Sequence, residues 1–204
     1  MKVTVLGSGS RGNAVLVESG GVRLLVDAGF SGRDLERRLA AAGVPPDTLT
    51  ALLVTHDHTD HTRGMGVAAR RWGVPLYLTE LTRSACRSLL DGTEEVRLYS
   101  SAYPVEVGGL TVTPFLTVHD AIDPVAVTVM ETATGEKLGI ATDLGRSTAT
   151  MRHALRGCDV LVLESNHDEV MLRESAYPWS VKARIGGSHG HLSNRAAAEL
   201  AREL

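Results

Sequence analysis

Residues 55 to 61 read Thr55-His56-Asp57-His58-Thr59-Asp60-His61 and follow the apolar run Ala51-Leu52-Leu53-Val54. Three imidazoles and two carboxylates therefore stand together at the end of a predicted buried strand. Imidazole suits zinc, iron and manganese, and carboxylate suits harder cations. Side chains alternate along extended backbone, so His56 and His58 project together. Asp60 and His61 then turn the other way as the chain leaves the strand. Such a layout can serve two adjacent metals, one per pair. A solvated polar loop has no need of three His in this order.

A two-metal site holds its ions roughly 3.5–4 Å apart, and it needs more donors than this cluster supplies. His119 follows Phe115-Leu116-Thr117-Val118, and Asp143 follows Leu138-Gly139-Ile140-Ala141-Thr142. Both stand at predicted strand ends, where a rigid scaffold holds ligands in place. A carboxylate such as Asp143 can bridge two ions. Taken alone, His119 reads as a loop residue and Asp143 as an acid at a helix start; the His cluster turns both readings towards metal. Asp27, in Val26-Asp27-Ala28-Gly29, reads equally as a hydrogen-bonding support for the metal-bearing loops or as a turn Asp before Gly.

Leu161-Val162-Leu163-Glu164-Ser165-Asn166-His167-Asp168 places polar groups after another buried strand. Gly190-His191-Leu192-Ser193-Asn194 places a further His just before a helix. His191 and Glu164 form a candidate proton-donating pair, the carboxylate orienting the imidazole. The catalytic candidates are thus Asp60, His191 and Glu164, with Asn166 and His167 as supports or substrate contacts. His189 is expected to face solvent, and His153 to be an ordinary helix residue. Arg11, Arg33, Arg63 and Lys182 are candidate phosphate contacts, though each alone reads more simply as a solvated charge.

Elements that could position these groups are legible along the chain. Strands are predicted at 2–6, 14–18 and 22–26, then at 51–54 and 76–78. Further strands follow at 96–100, 105–107, 110–115, 125–131, 137–141 and 160–164. Helices are predicted from the cap at Ser31 to Gly43, at 63–72, 80–90 and 148–155, and at 194–203 behind the cap Ser193. Gly7-Ser8-Gly9-Ser10-Arg11-Gly12-Asn13 resembles a phosphate loop, but a strand follows it where such loops need a helix N-terminus. It can still line a site with backbone N–H groups. The stretch from Glu18 to Gly29 is echoed from Glu131 to Gly145: both read as hairpins ending in Asp-x-Gly. Two halves on one plan predict a four-layer αββα sandwich with mixed sheets, an α/β (α+β) protein.

The composition agrees with a globular domain. The 204 residues are 43% hydrophobic and 22% charged, ordinary proportions. Aromatics are only 4%, so Val, Leu and Ala must build the core. A net charge of −3 makes no global case for nucleic acid, although bound metals would add local positive charge. No signal peptide or membrane-length apolar run is read, and the two cysteines, Cys86 and Cys158, look like ordinary thiols. A cytoplasmic location without membrane attachment is expected.

The motifs together resemble the metallo-β-lactamase superfamily and, within it, the YycJ/WalJ-like family. The carrying residues are Gly7 to Asn13, Thr55 to His61, His119-Asp120-Ala121, Thr142-Asp143-Leu144-Gly145, Leu163 to Asp168, Tyr177-Pro178-Trp179 and Gly190 to Asn194. The resemblance implies a single domain over 1–204 and a cytoplasmic phosphodiesterase, a 5′→3′ DNA exonuclease linked to repair, using manganese or zinc. It implies that His56, His58 and His119 hold one divalent ion, that Asp60, His61 and the bridging Asp143 hold the other, and that His191 protonates the leaving group beside Glu164. In the family a further strand follows the last helix and ends in a His of the second site. Since this chain ends at Leu204, a C-terminally incomplete domain and a second site short of one ligand are expected.

Two other functions fit the same residues. One is a carbonyl hydrolase on the same fold: a thioesterase, lactonase or β-lactam hydrolase. The other is a metal- or nucleic-acid-binding module without catalysis. DNA is the expected partner, and the sequence is silent on oligomeric state.

Overall fold

The fold is that of a computed structural model, which describes residues 1–101 and 103–204. Strands β1 (Lys2–Gly7), β2 (Ala14–Ser19), β3 (Val22–Val26), β4 (Ala51–Leu53), β5 (Leu76–Leu78) and β6 (Val96–Leu98) form one sheet in that order. Its first three strands are antiparallel and the rest parallel. Strands β7 (Val105–Val107), β8 (Leu110–Leu116), β9 (Val125–Glu131), β10 (Lys137–Ala141) and β11 (Val160–Leu163) form the second, in the order β11-β10-β9-β8-β7. Only β10 and β11 are parallel there.

The two-residue period of the strands builds the layers. Val15 and Val17, Leu24 and Val26, and Ala51 and Leu53 face Val125, Val127, Val129, Leu138 and Ile140 between the sheets. The alternate residues Leu16, Leu25 and Leu52 point outward to Leu35 and Leu39 of α1 (Gly32–Ala41). They also meet Met65 and Ala68, which lie beyond the short α2 (Thr59–Thr62) on α3 (Met65–Trp72). The helix α4 (Glu80–Ala85) follows β5. On the opposite face, Phe115, Ala126 and Ala141 pack against Met151 and Leu155 of α5 (Ala149–Leu155). Past α6 (Glu169–Glu174) and α7 (Trp179–Ile185), Leu200 of α8 (Asn194–Glu203) completes that layer. The result is the αββα sandwich the repeated hairpins predict. Ser31 and Ser193 cap α1 and α8 as expected, accepting from Asp34 N at 3.3 Å and Ala196 N at 3.2 Å.

Two elements differ from expectation. The helix predicted over 80–90 breaks at Cys86 and continues only as a 3₁₀ turn, Arg87–Leu89. The chain bends there to bury Cys86 with its Sγ 3.7 Å from the Asp57 carbonyl, beside the His loop. The stretch between β11 and α8 holds two helices where none is predicted. Neither α6 nor α7 buries a residue, so neither carries the apolar stripe that marks a helix in sequence. Asp168 Oδ1 caps α6, accepting from Val170 N and Met171 N, each at 2.9 Å.

Both cysteines are free, and burial pushes the Cys86 thiol up to about 11. Among the described residues no helix is long and apolar enough to cross a membrane.

The inter-sheet layer should dominate stability. Leu24→Ala, at a fully buried position of that layer, is expected to cost about 2–5 kcal/mol. Val5→Ala, at a half-exposed position, should stay within about 0.5 kcal/mol. Denaturant unfolding with matched slopes measures both; equal losses would contradict this assignment of the core.

Candidate metal centre

Every predicted donor lies at one end of the sandwich, in loops that leave strand C-termini. Asp27 and Asp143, the matching residues of the two echoed hairpins, are the only non-glycine residues with positive φ among those described, at 65° and 56°. Such a conformation costs of order 1–3 kcal/mol and persists only where the surroundings enforce it. Around Asp27 that enforcement is explicit. Its Oδ1 accepts from Thr55 N at 2.8 Å, Thr55 Oγ1 lies 3.0 Å from each carboxylate oxygen, and His61 Nδ1 stands 2.7 Å from Oδ2. Its own N–H donates to Leu53 O, and Ala28 N donates to His61 O, both at 2.8 Å. The His loop is thereby sewn to the end of β3. The approach is so close that a Cβ at Gly29 would overlap the Asp60 carbonyl.

The hydrogen bonds also fix which nitrogen each imidazole turns inward. Thr55 Oγ1, already a donor to Asp27, accepts from His56 Nδ1 at 3.0 Å. His61 Nδ1 donates to Asp27. His119 Nδ1 donates to the Gly190 carbonyl at 2.9 Å, and His58 Nε2 donates to the Asp120 carbonyl at 3.2 Å. Each ring thus commits one nitrogen outward and presents the other to a shared centre, an arrangement common behind metal-ligating His. There His119 Nε2 and His58 Nδ1 lie 3.3 Å apart, and His61 Nε2 is 2.8 Å from Asp143 Oδ2. The inner Nε2 of His56 is buried and has no hydrogen-bond partner.

Three overlapping triads result: His56/His58/His119, His56/His61/Asp143 and His119/Asp143/His191. In each, the donor atoms lie within 4.8 Å of one another. Imidazoles and a carboxylate converging on an orphaned buried lone pair fit a divalent cation.

Titration follows from the same contacts. Burial, reinforced by the neighbouring imidazoles, holds His56 well below the ordinary His range, so it stays neutral. Burial opposes charge on His61 too, but Asp27 and Asp143 on either side raise it well above that range. Burial alone would raise Asp143; the hydrogen bond and charge of His61 instead hold it well below the usual carboxylate range. His191 is raised, chiefly by the bond from its Nδ1 to Glu164 Oε1 at 2.6 Å.

The sequence-predicted residues fall into place unevenly. His56, His58, His61, His119 and Asp143 converge. His191 and Glu164 pair beside them, with His191 Nδ1 3.4 Å from Asp143 Oδ1, and Glu164 Oε2 accepts from Leu144 N and Leu192 N. Asp60 sits outside the three triads: its Oδ2 is 3.9 Å from His61 Nε2 and accepts from Asn13 Nδ2 at 3.2 Å. Asp27 lies behind the rings as a support. Asn166 lines the cleft and gives its N–H to Leu192 O at 3.1 Å. His167 is turned away, its Nδ1 buried without a partner and its side chain on a neighbouring cavity shared with His191 and Trp179. His189 and His153 are exposed.

Over the centre opens a cleft of about 460 Å³, whose lining includes Ser8, Gly9, Ser10 and Asn13 together with Ser165, Asn166 and Arg184. The glycine-rich loop therefore does border the site. Of Arg11, Arg33, Arg63 and Lys182, none lines the cleft; Lys182 Nζ is bonded to the Arg173 carbonyl at 2.7 Å. Sequence reasoning passed over Thr55, Asn13, Asp120 and Arg184. Thr55 and Asp120 were in view, each next to a predicted ligand, but nothing in one-dimensional spacing marks a neighbour as its support.

Comparison with known proteins agrees with this geometry. Residues 22–204 match the family described as the Beta-lactamase superfamily domain. The chain is 37% identical over 197 residues to Exodeoxyribonuclease YycJ of Bacillus anthracis, covering 96% of this chain and 74% of that protein. It is 34% identical over 203 residues to Exodeoxyribonuclease WalJ of Streptococcus pneumoniae, covering 97% and 74%. Among solved structures, the metallo-beta-lactamase fold protein YhfI from Bacillus subtilis superposes with a TM-score of 0.75 at 20% identity, over 98% of this chain and 81% of that one. The chain belongs to the metallo-β-lactamase superfamily, in its YycJ/WalJ-like branch.

Proposed function

We propose that this protein is a metal-dependent hydrolase of nucleic-acid phosphodiesters, and specifically a 5′→3′ DNA exonuclease formed by one domain over residues 1–204. The observation that carries the reading is the His191–Glu164 pair set against a centre of inward-turned imidazoles. The relatives named as exodeoxyribonucleases support it. His56, His58 and His119 would hold one ion, and His61, Asp60 and the bridging Asp143 a second, with zinc or manganese as the metal. Bound divalent ions supply Lewis acidity at a phosphoryl group and lower the pKa of a water towards about 7.

The chain's own groups do the rest. Asp27 keeps the His61 Nδ1 proton and so turns the Nε2 lone pair inward. The hydrogen bond to Glu164 favours the protonated form of His191, and His191 would give that proton to the leaving oxygen. An alkoxide leaving group gains from such a donor, which favours a phosphodiester over a thioester or lactone. The third triad would make His191 a ligand instead. We assign His191 to proton transfer on its pairing with Glu164 at 2.6 Å, and the metal content of His191→Ala separates the two roles. A cytoplasmic setting and a part in DNA repair belong to the same reading.

Elemental analysis after stripping and reloading should find two ions per chain, falling sharply in His56→Ala. In the metal-free protein His61 carries a proton at neutral pH, because its pKa is raised. Metal entry must expel that proton, so affinity should increase as pH rises towards the His61 pKa. Calorimetry in buffers of different ionisation enthalpy should record the release; binding without it would remove His61 from the ligand set.

For activity, the metal-loaded protein should degrade single-stranded DNA in preference to RNA, thioesters and lactones. His58→Ala should abolish cleavage without unfolding. His191→Ala should slow kcat by about 10²–10⁴-fold with the metal content intact. If His191→Ala instead sheds metal, His191 is a ligand. Turnover of thioesters or lactones with DNA untouched would replace the phosphodiester reading altogether.

A further inference from the structure

Arg184 is the one Lys or Arg among the described residues that line the catalytic cleft. It stands on α7, whose side chains bury nothing in the core, and its own side chain is 64% exposed. It is nonetheless held. Its Nε donates to Asp120 Oδ2 at 2.6 Å. Asp120 Oδ1 lies 3.4 Å from His119 Nε2, and the Asp120 carbonyl receives His58 Nε2. The guanidinium is thus tied by one carboxylate to the residue that follows His119 and whose carbonyl receives His58. An exposed ion pair contributes little to stability, so anchoring α7 does not explain it.

The bond to Asp120 uses Nε alone and leaves the two Nη groups, the planar fork that grips phosphate in a bidentate manner. Ser8 and Ser10 line the same cleft, as do Asp60, Asp143 and Glu164. A polyanionic strand entering this acidic cleft needs a cation that those carboxylates do not neutralise. Asp120 takes the Nε edge of Arg184 and leaves its Nη groups unengaged among the described residues.

We propose that Arg184 is a specificity-determining residue: its Nη fork binds a backbone phosphate of the nucleic-acid strand lying in the cleft, with Asp120 as its positioning residue. This rests on the phosphodiester reading above and adds to it how the site selects an anionic strand over a neutral ester.

The test uses the full chain in a His191→Ala background, so that a labelled single-stranded DNA oligonucleotide survives. Fluorescence anisotropy across a salt series gives affinity and salt slope. Arg184→Met should weaken binding by about tenfold or more and flatten the slope by about 0.7, the contribution of one phosphate contact on a single strand. Arg184→Lys should keep most of the slope while losing part of the affinity, because the charge remains and the fork does not. Metal content and thermal midpoint should match the parent. Unchanged affinity and slope in Arg184→Met, with the parent binding normally, would overturn this inference alone. Loss of metal or a lowered midpoint would overturn it too, making Arg184 a structural residue. A chain with His191 intact that neither binds nor cuts the oligonucleotide yet hydrolyses thioesters or lactones would remove it together with the phosphodiester reading.

Discussion

The centre depends on one buried carboxylate. Asp27 is 4% exposed and sits where its backbone is strained, yet it accepts from Thr55 N, Thr55 Oγ1 and His61 Nδ1. A buried charge is tolerable only when paired and hydrogen-bonded, and these contacts supply both. They also set two imidazoles at once. His61 is oriented directly, and His56 through the Thr55 hydroxyl, whose single proton goes to Asp27 so that it can only accept from His56. Removing the carboxylate would release the His loop and both ring orientations together.

The two sheets extend this constraint to the remaining donors. Asp27 ends one hairpin and Asp143 the matching hairpin of the other half, both in the left-handed region. The inter-sheet layer of Val and Leu holds the two sheet ends against each other. Thus Asp143, from the second sheet, meets His61, from the first, at 2.8 Å. The loop of His189 and Gly190 is clamped onto the second half in turn. A Cβ at Gly145 would strike the Ser188 carbonyl, and the Gly190 carbonyl fixes His119. The rings come from loops at strand ends, while the one Lys or Arg of the cleft among the described residues comes from a helix outside the core.

This division decides what was legible in the sequence. The strands were visible because Val15, Leu24, Leu53 and their neighbours are apolar at a period of two. The sandwich was visible because the hairpin around Asp27 is repeated around Asp143. The donors announced themselves by type and by standing at strand ends, and the Glu164–His191 pair by the same logic. What stayed hidden carries no period. Helices α6 and α7 bury nothing, so Arg184 and its neighbour Lys182 share a stretch without predicted structure, and nothing in that stretch marks which of the two reaches the cleft. Lys182 in fact closes the end of α6 on the Arg173 carbonyl. Asn13 lay inside a glycine-rich loop read for its backbone, although its amide is what reaches Asp60 and His61. Roles assigned by contact between distant segments cannot be read from spacing within one.

The electrostatics of the cluster argue that it is built for a cation rather than for stability. His56 and His61 have ring centroids 4.1 Å apart, yet burial drives one towards neutrality while two carboxylates drive the other towards charge. In the metal-free protein a single proton on His61 therefore balances part of the charge of Asp27 and Asp143. His56 Nε2 meanwhile stays buried with nothing to bond, which costs of order 1–3 kcal/mol. A core optimised for folding would replace such a group with a methyl. It persists because the outward nitrogens of all these rings are already engaged, so no rotation of His56 relieves the inward one without breaking its bond to Thr55. A shared electrophile in place of the proton would satisfy the inward lone pairs together.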